Sequence, residues 1–295
     1  MSIFTVENLS KNYGTVQALK NVSFSVPRGT VFGILGPNGS GKTTMLGIMM
    51  DVLKASGGTH KLFDKVPDES MRKQIGTLLE TPNFYHYLSG ARNLRIAAAI
   101  KQRGEEDIDR VLKIVNLTER KDSKFSTYSL GMKQRLAIGA ALLGDPEVLV
   151  FDEPTNGLDP VGIAEIRELI KELHRQGKTI IMASHLLDEV EKVCTHVAIL
   201  KRGELIATGN VNEILANEDI VELAASDIEG LVKVMNQLND FNELKLEGNT
   251  VHLFYPIGTA RLENINRHCF NNGIVLSQLQ LKKKSLETKF FELTN

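Results

Sequence analysis

The spacing of apolar positions divides the chain into a strand-rich start, a helical middle and an alternating second half. Residues 3–26 alternate apolar and polar side chains, and this period of two predicts antiparallel strands that pack through one face. Residues 91–143 instead repeat their apolar positions at helical spacing, which predicts an inserted helical subdomain at about residues 82–143. Continuous apolar runs at 148–151 and 179–183 are typical of buried parallel strands.

Strands that alternate with helices predict an α/β fold with a mostly parallel sheet and a ligand site at the carboxyl ends of its strands. From about residue 216 the predicted order becomes strand, helix, two strands, helix and strand, which is the order of a small α+β, ferredoxin-like unit. We therefore expect two domains, 1–215 and 216–295. The first should contain an antiparallel β subdomain as well as the helical one, and a short helix should end the second.

The clearest chemical signal is a glycine-rich loop at 36–44, Gly-Pro-Asn-Gly-Ser-Gly-Lys-Thr-Thr, which lies between an apolar run and a helical pattern at 45–54. Glycines let the backbone turn tightly and bring N–H groups close to an anion, and the helix adds the positive end of its dipole. Lys42 would reach the β- and γ-phosphates of a nucleotide, and Thr43 would offer its hydroxyl to Mg²⁺. The nucleotide-binding candidates in this loop are Gly36, Asn38, Gly39, Ser40, Gly41, Lys42, Thr43 and Thr44.

Two carboxylates follow the apolar run at 148–151. Asp152 fits the acidic residue that holds Mg²⁺ through water. Glu153 can polarise the water that attacks the γ-phosphate, a general-base effect worth about 10²–10⁴ in rate. Without the glycine-rich loop, a solvated Asp-Glu turn would be the simpler interpretation. Tyr13 lies between two predicted strands, where it could stack on a base or fill a turn, and the residues alone leave both open.

Composition and charge narrow the class of protein. The chain has 295 residues, of which 42% are hydrophobic, and its formal net charge of −1 gives no reason to expect nucleic acid as a partner. No apolar run approaches the roughly 18 residues that span a bilayer, and the first residues do not resemble a signal peptide. Cys194 and Cys269 lack metal-ligand spacing, so we expect buried free thiols. If the protein works at a membrane, another chain must supply the span.

Residues 128–135, Tyr-Ser-Leu-Gly-Met-Lys-Gln-Arg, resemble the signature motif of ATP-binding cassette (ABC) ATPases, usually Leu-Ser-Gly-Gly-Gln followed by Gln-Arg. The succession of P-loop, signature, Phe-Asp-Glu-Pro-Thr-Asn-Gly-Leu-Asp-Pro and Ser-His is similar to that family over about residues 3–208. The resemblance implies the P-loop ATPase cassette fold, ATP and Mg²⁺ as ligands, and hydrolysis that drives transport through an integral-membrane permease subunit.

The same resemblance implies roles for individual residues. Tyr13 would stack on adenine, and His185 would contact the γ-phosphate, although a polar residue capping the next helix is the alternative for His185. Ser129 and Gly131 would meet the γ-phosphate of an ATP held by a second ABC ATPase subunit, either an identical chain or a paralogue, and Ser129 would also cap its own helix. Residues 156–159 resemble the loop that crosses the dimer interface. Two chains would thus close head to tail around two ATP molecules.

Two positions depart from the usual motifs of the family. Glu80 stands where most members have a glutamine, and its carboxylate can still ligate Mg²⁺ but adds negative charge beside the phosphates. Leu130 and Met132 replace the first glycine and the glutamine of the signature. The stretch 80–85 and the ending 285–293 resemble the branch of bacitracin, lantibiotic and drug exporters, which is of the ABC-2 type.

The aromatic residues that follow Glu80 can be interpreted in two ways. In the family this region helps to form the groove that receives a coupling helix of the permease, whereas packing within the helical subdomain is an equal alternative for Phe84, Tyr85, Tyr87 and Leu88.

We expect the motor of an exporter for an antibiotic peptide, a drug or a lipid-like molecule, cytoplasmic and held peripherally at the inner face of the membrane by its permease. The alternatives are a non-transport ABC ATPase and an importer motor.

Overall fold

The computed structural model describes residues 2–79, 83–215, 219–238, 240–283, 286 and 290. They belong to two compact units, Met1–Gly209 and Asn210–Asn295. Glu80 lies outside the described residues, as do the predicted final helix and most of the exporter-like ending. The domain limits drawn from the sequence, at 215 and 216, stay a prediction.

The first unit consists of strands joined by helices and short 3₁₀ turns. Its strands are β1 (Ser2–Tyr13), β2 (Val16–Pro27), β3 (Val31–Leu35), β4 (Gly57–Leu62), β5 (Ile75–Leu78), β6 (Val148–Asp152), β7 (Thr179–Ser184), β8 (His196–Lys201) and β9 (Glu204–Asn210). Its helices are α1 (Lys42–Met49), α2 (Glu69–Arg72), α3 (Gly90–Lys101), α4 (Ile108–Ile114), α5 (Leu130–Leu142), α6 (Pro160–Arg175) and α7 (Leu187–Val193). The 3₁₀ turns are Thr118–Arg120 and Phe125–Thr127.

The alternating pattern at the start of the chain forms an antiparallel sheet with the strand order β2-β1-β4, as predicted. Its buried face packs on helix α1 and on the central sheet in one continuous core. Phe24 of β2 stacks on Phe32 of β3 with ring centroids 5.5 Å apart. This core fixes β3 and α1, the two elements that the glycine-rich loop connects.

The central sheet has the order β5-β6-β7-β3-β8-β9. Strands β3 and β5 to β8 run parallel, and every residue of β3, β6 and β7 is buried, which confirms the prediction from their continuous apolar runs. The register pairs Leu35 with Ser184 and Asp152 with Ala183. The carboxyl ends of β3, β6 and β7 therefore lie side by side along one edge of the sheet.

The helical character predicted for residues 91–143 is confirmed by α3, α4 and α5, which pack against one another. The predicted helix at 45–54 is wrong at its end, because α1 stops at Met49. Asp51 adopts a left-handed φ of 58°, and the N–H groups of Val52 and Leu53 both bond back to the Gly47 carbonyl. The sequence also missed α2, a single turn that buries none of its side chains.

The second unit is a four-stranded antiparallel sheet with two longer helices. Its elements are α8 (Val211–Leu215), β10 (Asp219–Ala225), α9 (Ile228–Met235), β11 (Glu243–Glu247), β12 (Thr250–Tyr255), α10 (Leu262–Asn271) and β13 (Leu276–Lys283). The strand order is β11-β12-β10-β13, and from β10 onward the elements follow the predicted ferredoxin-like succession. Helix α8 was not predicted.

Two further expectations can be compared with the structure. Cys194 and Cys269 are both buried free thiols, as predicted, and burial raises the pKa of each. Among the residues that the structure describes, no helix has the length and apolar character needed to span a membrane.

Candidate nucleotide-binding site

The glycine-rich loop joins the carboxyl end of β3 to the first residue of α1, in the strand–loop–helix context expected from the sequence. Gly39 and Gly41 have φ angles of 79° and 105°, a region that glycine adopts without steric cost. Asn38 and Gly39 are exposed, whereas Ser40 is buried. The loop thus presents residues 37–39 at the surface, and the buried Ser40 anchors it on the inner side.

Lys42 is buried inside the curve of this loop. Its ammonium group donates hydrogen bonds to the carbonyls of Gly36 and Pro37, at 2.9 and 3.4 Å. Its Nζ also lies 3.4 Å from Oε1 of Glu153. A positive charge therefore stands at the carboxyl edge of the sheet, next to the loop backbone, which is where an anion would be held. Thr43 is exposed and Thr44 is half-buried at the start of α1.

Glu153 follows β6 in a conformation that is unusual for a residue with a side chain. Its φ is 47°, and its N–H donates to the carbonyl of Ala183 at 3.0 Å. A left-handed residue other than glycine costs about 1–3 kcal/mol and persists only where its surroundings fix it, commonly at functional sites. The other carboxylate oxygen, Oε2, lies 2.8 Å from Nδ1 of His185. Glu153 therefore bridges Lys42 and His185.

The side chain of His185 takes part in this bridge and does not cap the N-terminus of α7, the next helix. The N–H of Leu186 bonds to Oγ of Ser184 at 3.1 Å, and α7 begins without a side-chain cap from His185. The helix-capping alternative for His185 is therefore wrong. Because His185 follows β7 and Glu153 follows β6, the pairing of these two strands brings the imidazole and the carboxylate together.

The residues suggested for Mg²⁺ are chemically suited to it. Asp152 is buried at the last position of β6, and Thr43 is the second residue of α1. Hydroxyl and carboxylate oxygens are the donors that Mg²⁺ prefers, and the ion usually takes its other ligands from water and substrate phosphates. The donor set therefore fits the ion. Glu80, the third oxygen donor suggested by the sequence, lies outside the described residues.

Tyr13 lies at the end of β1, opposite Val16 of β2, and its side chain is 46% exposed. Lys11 holds its ammonium group 5.0 Å from the centre of the Tyr13 ring and donates a hydrogen bond to the Lys54 carbonyl at 2.7 Å. A cation over an aromatic ring contributes about 0.5–1 kcal/mol at an exposed site. Lys11 was not predicted, and its place two residues before Tyr13 in the same strand is the only signal for it in the sequence.

The signature residues form the exposed start of α5. Oγ of Ser129 accepts the N–H of Met132 at 3.2 Å, so Ser129 caps its own helix as predicted. A side chain added at Gly131 would meet nothing within 4 Å, and Leu130 is 49% exposed. In the part of the chain that the structure describes, no hydrogen bond or ion pair joins these residues to the P-loop. One chain thus assembles Lys42, Glu153 and the imidazole beside it, but not the signature.

This geometry can be compared with known proteins. The ABC transporter family profile matches residues 19–156. The bacitracin transport ATP-binding protein BcrA of Enterococcus faecalis is 34% identical over 99% of this chain and 96% of its own length. The chain belongs to the ATP-binding proteins of ABC transporters. ABC proteins of this kind bind ATP and hydrolyse it to drive transport, and they work with membrane permease partners.

Two other ABC proteins extend the comparison. The linearmycin resistance ATP-binding protein LnrL of Bacillus subtilis is 33% identical over 98% of this chain and 97% of its own length. The ABC cassette MJ0796, solved as a dimer in a post-hydrolysis state with ADP and Pi, is 27% identical with a TM-score of 0.62. That similarity covers 70% of this chain and 98% of MJ0796, so it concerns the cassette and not the whole chain.

Proposed function

We propose that this ABC protein is the motor of an exporter, with an antibiotic peptide, a drug or a lipid-like molecule as the transported substrate. The observation that carries the motor assignment is the bridge from Lys42 through Glu153 to His185 at the carboxyl edge of the parallel sheet. Bacitracin transport and linearmycin resistance, the functions named for two relatives that match nearly the whole chain, support the substrate class. We place the protein on the cytoplasmic face of the membrane, held there by its permease.

The proposed chemistry follows from the groups at this edge. The loop backbone and Lys42 hold the phosphates of ATP, and Thr43 and Asp152 hold Mg²⁺, which neutralises phosphate charge when bound. Glu153 accepts a proton from the attacking water, and its left-handed backbone and its bond to His185 fix the direction of the carboxylate. His185 can then turn a ring N–H toward the γ-phosphate.

The exposed signature face supports a partner of the same type. The N-terminus of α5 offers backbone N–H groups and the dipole of a 13-residue helix, both of which suit an anion. Within the described residues this face makes no bond to the P-loop of its own chain, and the similar cassette MJ0796 is dimeric. We therefore propose that Ser129 and Gly131 complete the ATP site of a second copy or a paralogue.

A groove in the helical region supports a membrane partner. It has a volume of about 290 Å³ and is lined mainly by Tyr85, Ile96, Ala97 and Ile100. Ile100 is 78% exposed, and exposed apolar side chains beside aromatic ones are typical of protein docking sites. We propose that a helix of the permease docks in this groove.

The motor assignment is tested by Glu153→Gln. We expect this chain to bind ATP as tightly as the wild type and to hydrolyse it about 10²–10⁴ times more slowly, because the amide cannot accept the proton. Glu147→Gln is the matched control, since Glu147 lies just before the opposite end of β6 and pairs with Arg28. Steady-state turnover of the Glu153 variant within a few-fold of the control would contradict the assignment.

The membrane partner is tested by co-purification from membranes. We expect the unaltered chain and Val66→Glu to retain a polytopic membrane protein and Ile100→Glu to lose it, because the charge enters the groove. Val66 is a matched control because it is an exposed apolar residue of the same unit. All three chains should bind ATP equally. A wild-type chain that captures ribosomes in place of a membrane protein would favour the non-transport alternative.

A further inference from the structure

The turn between β8 and β9 contacts the P-loop at Ser40, a buried residue of the loop. Gly203, buried in this turn, donates its N–H to the carbonyl of Ser40 at 3.1 Å. Its own carbonyl accepts the N–H of Lys20, in β2, at 2.8 Å. One residue therefore connects the P-loop to β2 through two backbone hydrogen bonds.

The space at this junction admits no side chain. Gly203 has a φ of 82°, and a Cβ placed on it would lie 2.7 Å from the carbonyl oxygen of Ala18. The same oxygen would lie 2.6 Å from a Cβ on Gly41 of the P-loop. These distances are shorter than van der Waals contact, so the turn, the P-loop and β2 lie as close as their backbones allow.

Strand β2 connects this junction to the β1–β2 hairpin that carries Tyr13. It pairs with β1 in a register that sets Gln17 opposite Asn12 and Val16 opposite Tyr13. Ala18, which touches the turn, is thus two residues from the partner of Tyr13. Gly203 therefore belongs to the set of backbone contacts that joins the phosphate-binding loop to the hairpin that carries the aromatic ring.

We propose that Gly203 is a positioning residue that sets the spacing between the phosphate-binding and adenine-binding ends of the site. This inference rests on the proposed function, in which the P-loop holds phosphates and Tyr13 holds the base. The benefit of correct spacing appears only when one molecule occupies both ends. Gly203 should therefore govern the affinity for ATP and have little influence on a ligand that consists of phosphates alone.

The test compares ATP with inorganic tripolyphosphate, which has the phosphates and no base, by calorimetric titration of the full chain. In Gly203→Ala we expect ATP affinity to fall about tenfold, equivalent to about 1.4 kcal/mol, and tripolyphosphate affinity to change by less than about twofold. Gly177→Ala is the matched control, because Gly177 has a φ of 88° and a Cβ there would meet nothing within 4 Å. Its two affinities should equal those of the wild type.

A second variant separates backbone strain from the steric clash. Asparagine tolerates the left-handed region better than alanine but carries the same Cβ. We expect Gly203→Asn to lose ATP affinity as Gly203→Ala does, whereas Gly177→Asn should bind like the wild type. An equal loss of ATP and tripolyphosphate in the Gly203 variants, or no loss of either, would overturn the inference.

A measurement on the unaltered chain covers the case in which the Gly203 variants do not fold. The Gly203 amide should exchange with deuterium more slowly when Mg²⁺ and ATP are present, and tripolyphosphate should protect it less. Equal protection by both ligands would overturn the inference. If the wild type bound no ATP, or if Lys42→Ala bound it equally well, the proposed function itself would fail. Normal ATP binding through Lys42 with no effect at Gly203 would remove only this inference.

Discussion

The P-loop edge and the signature face are the two regions expected to hold ATP, and they are built in opposite ways. At the P-loop edge Lys42 is buried and bonded, and Glu153 is held in a strained conformation by its neighbours. At the signature face, among the residues that the structure describes, Ser129 bonds only its own helix, and Gly131 borders open space. The first region is organised within one chain, whereas we propose that the second acts on ATP held by another chain. We therefore expect one chain to be sufficient to bind ATP but not to hydrolyse it efficiently.

The largest expected effects test this contrast directly. Lys42→Ala should weaken ATP binding by about 10- to 100-fold, because it removes a charge-assisted hydrogen bond to the phosphates. Gly131→Asp should leave ATP binding within about twofold of the wild type, since the new side chain meets no neighbour. Its hydrolysis should nevertheless fall about 10²–10³-fold, because a carboxylate would oppose the γ-phosphate. Calorimetry measures ATP binding, and phosphate release measures hydrolysis. If the two variants lost the same amount of ATP affinity, the proposed difference between the two regions would be contradicted.

A smaller effect sharpens the P-loop side of the comparison. Tyr13→Ala should weaken ATP binding by about tenfold, because stacking of a base on an aromatic ring contributes about 1–3 kcal/mol. Affinity for tripolyphosphate should not change. Tyr87→Ala is a matched control for an exposed tyrosine of the same unit. If both variants bound ATP like the wild type, Tyr13 would not contact the base.

The last prediction concerns folding stability and not ATP binding, and it lies at the far end of α5, the helix that begins after Ser129. Lys101 donates to the carbonyls of Ala140 and Ala141 in the last turn of α5, at 2.6 and 3.3 Å. Burial, with a smaller contribution from the charge of Arg103, lowers the pKa of Lys101 to about 8. Folded Lys101 thus loses its proton near pH 8, whereas an unfolded lysine keeps it until about pH 10.4.

Unfolding therefore takes up a proton in this pH range, and raising the pH should stabilise the wild type relative to Lys101→Met. The gain in the free energy of unfolding should be at most about 3 kcal/mol between about pH 8 and pH 10.4. Urea unfolding at several pH values measures it. Lys113→Met, at an exposed position of α4, should show no such gain. A pH-independent difference between wild type and Lys101→Met would refute this account.

Features coded by adjacent residues could be predicted from the sequence. The P-loop, its strand and the start of its helix follow from glycine positions and a short apolar run, and the N-cap role of Ser129 follows from its place before α5. The ion pair and hydrogen bond that join Lys42, Glu153 and His185 are different. They depend on the register of β7 against both β6 and β3, which arises from packing of the whole sheet.

Exposure was the other property that the sequence could not supply. Phe84 packs edge-on against Phe125, with ring centroids 5.2 Å apart, whereas Tyr85 and Tyr87 are exposed. Packing within the helical subdomain therefore holds for Phe84, whereas the permease groove stays a prediction for the exposed tyrosines. Composition cannot predict which of these aromatic residues is buried. Their burial depends on where α3 and the 3₁₀ turn at Phe125–Thr127 lie in the folded chain.

The central claim, that each ATP site takes its P-loop from one chain and its signature from another, is tested most directly by mixing two inactive chains. One carries Lys42→Ala and the other Gly131→Asp. In a mixed dimer one site would carry both defects and the other neither. We expect each variant alone to be nearly inactive and an equal mixture to recover about a quarter of wild-type hydrolysis if the chains assort randomly and the sites act independently. A mixture no more active than its components would contradict the claim.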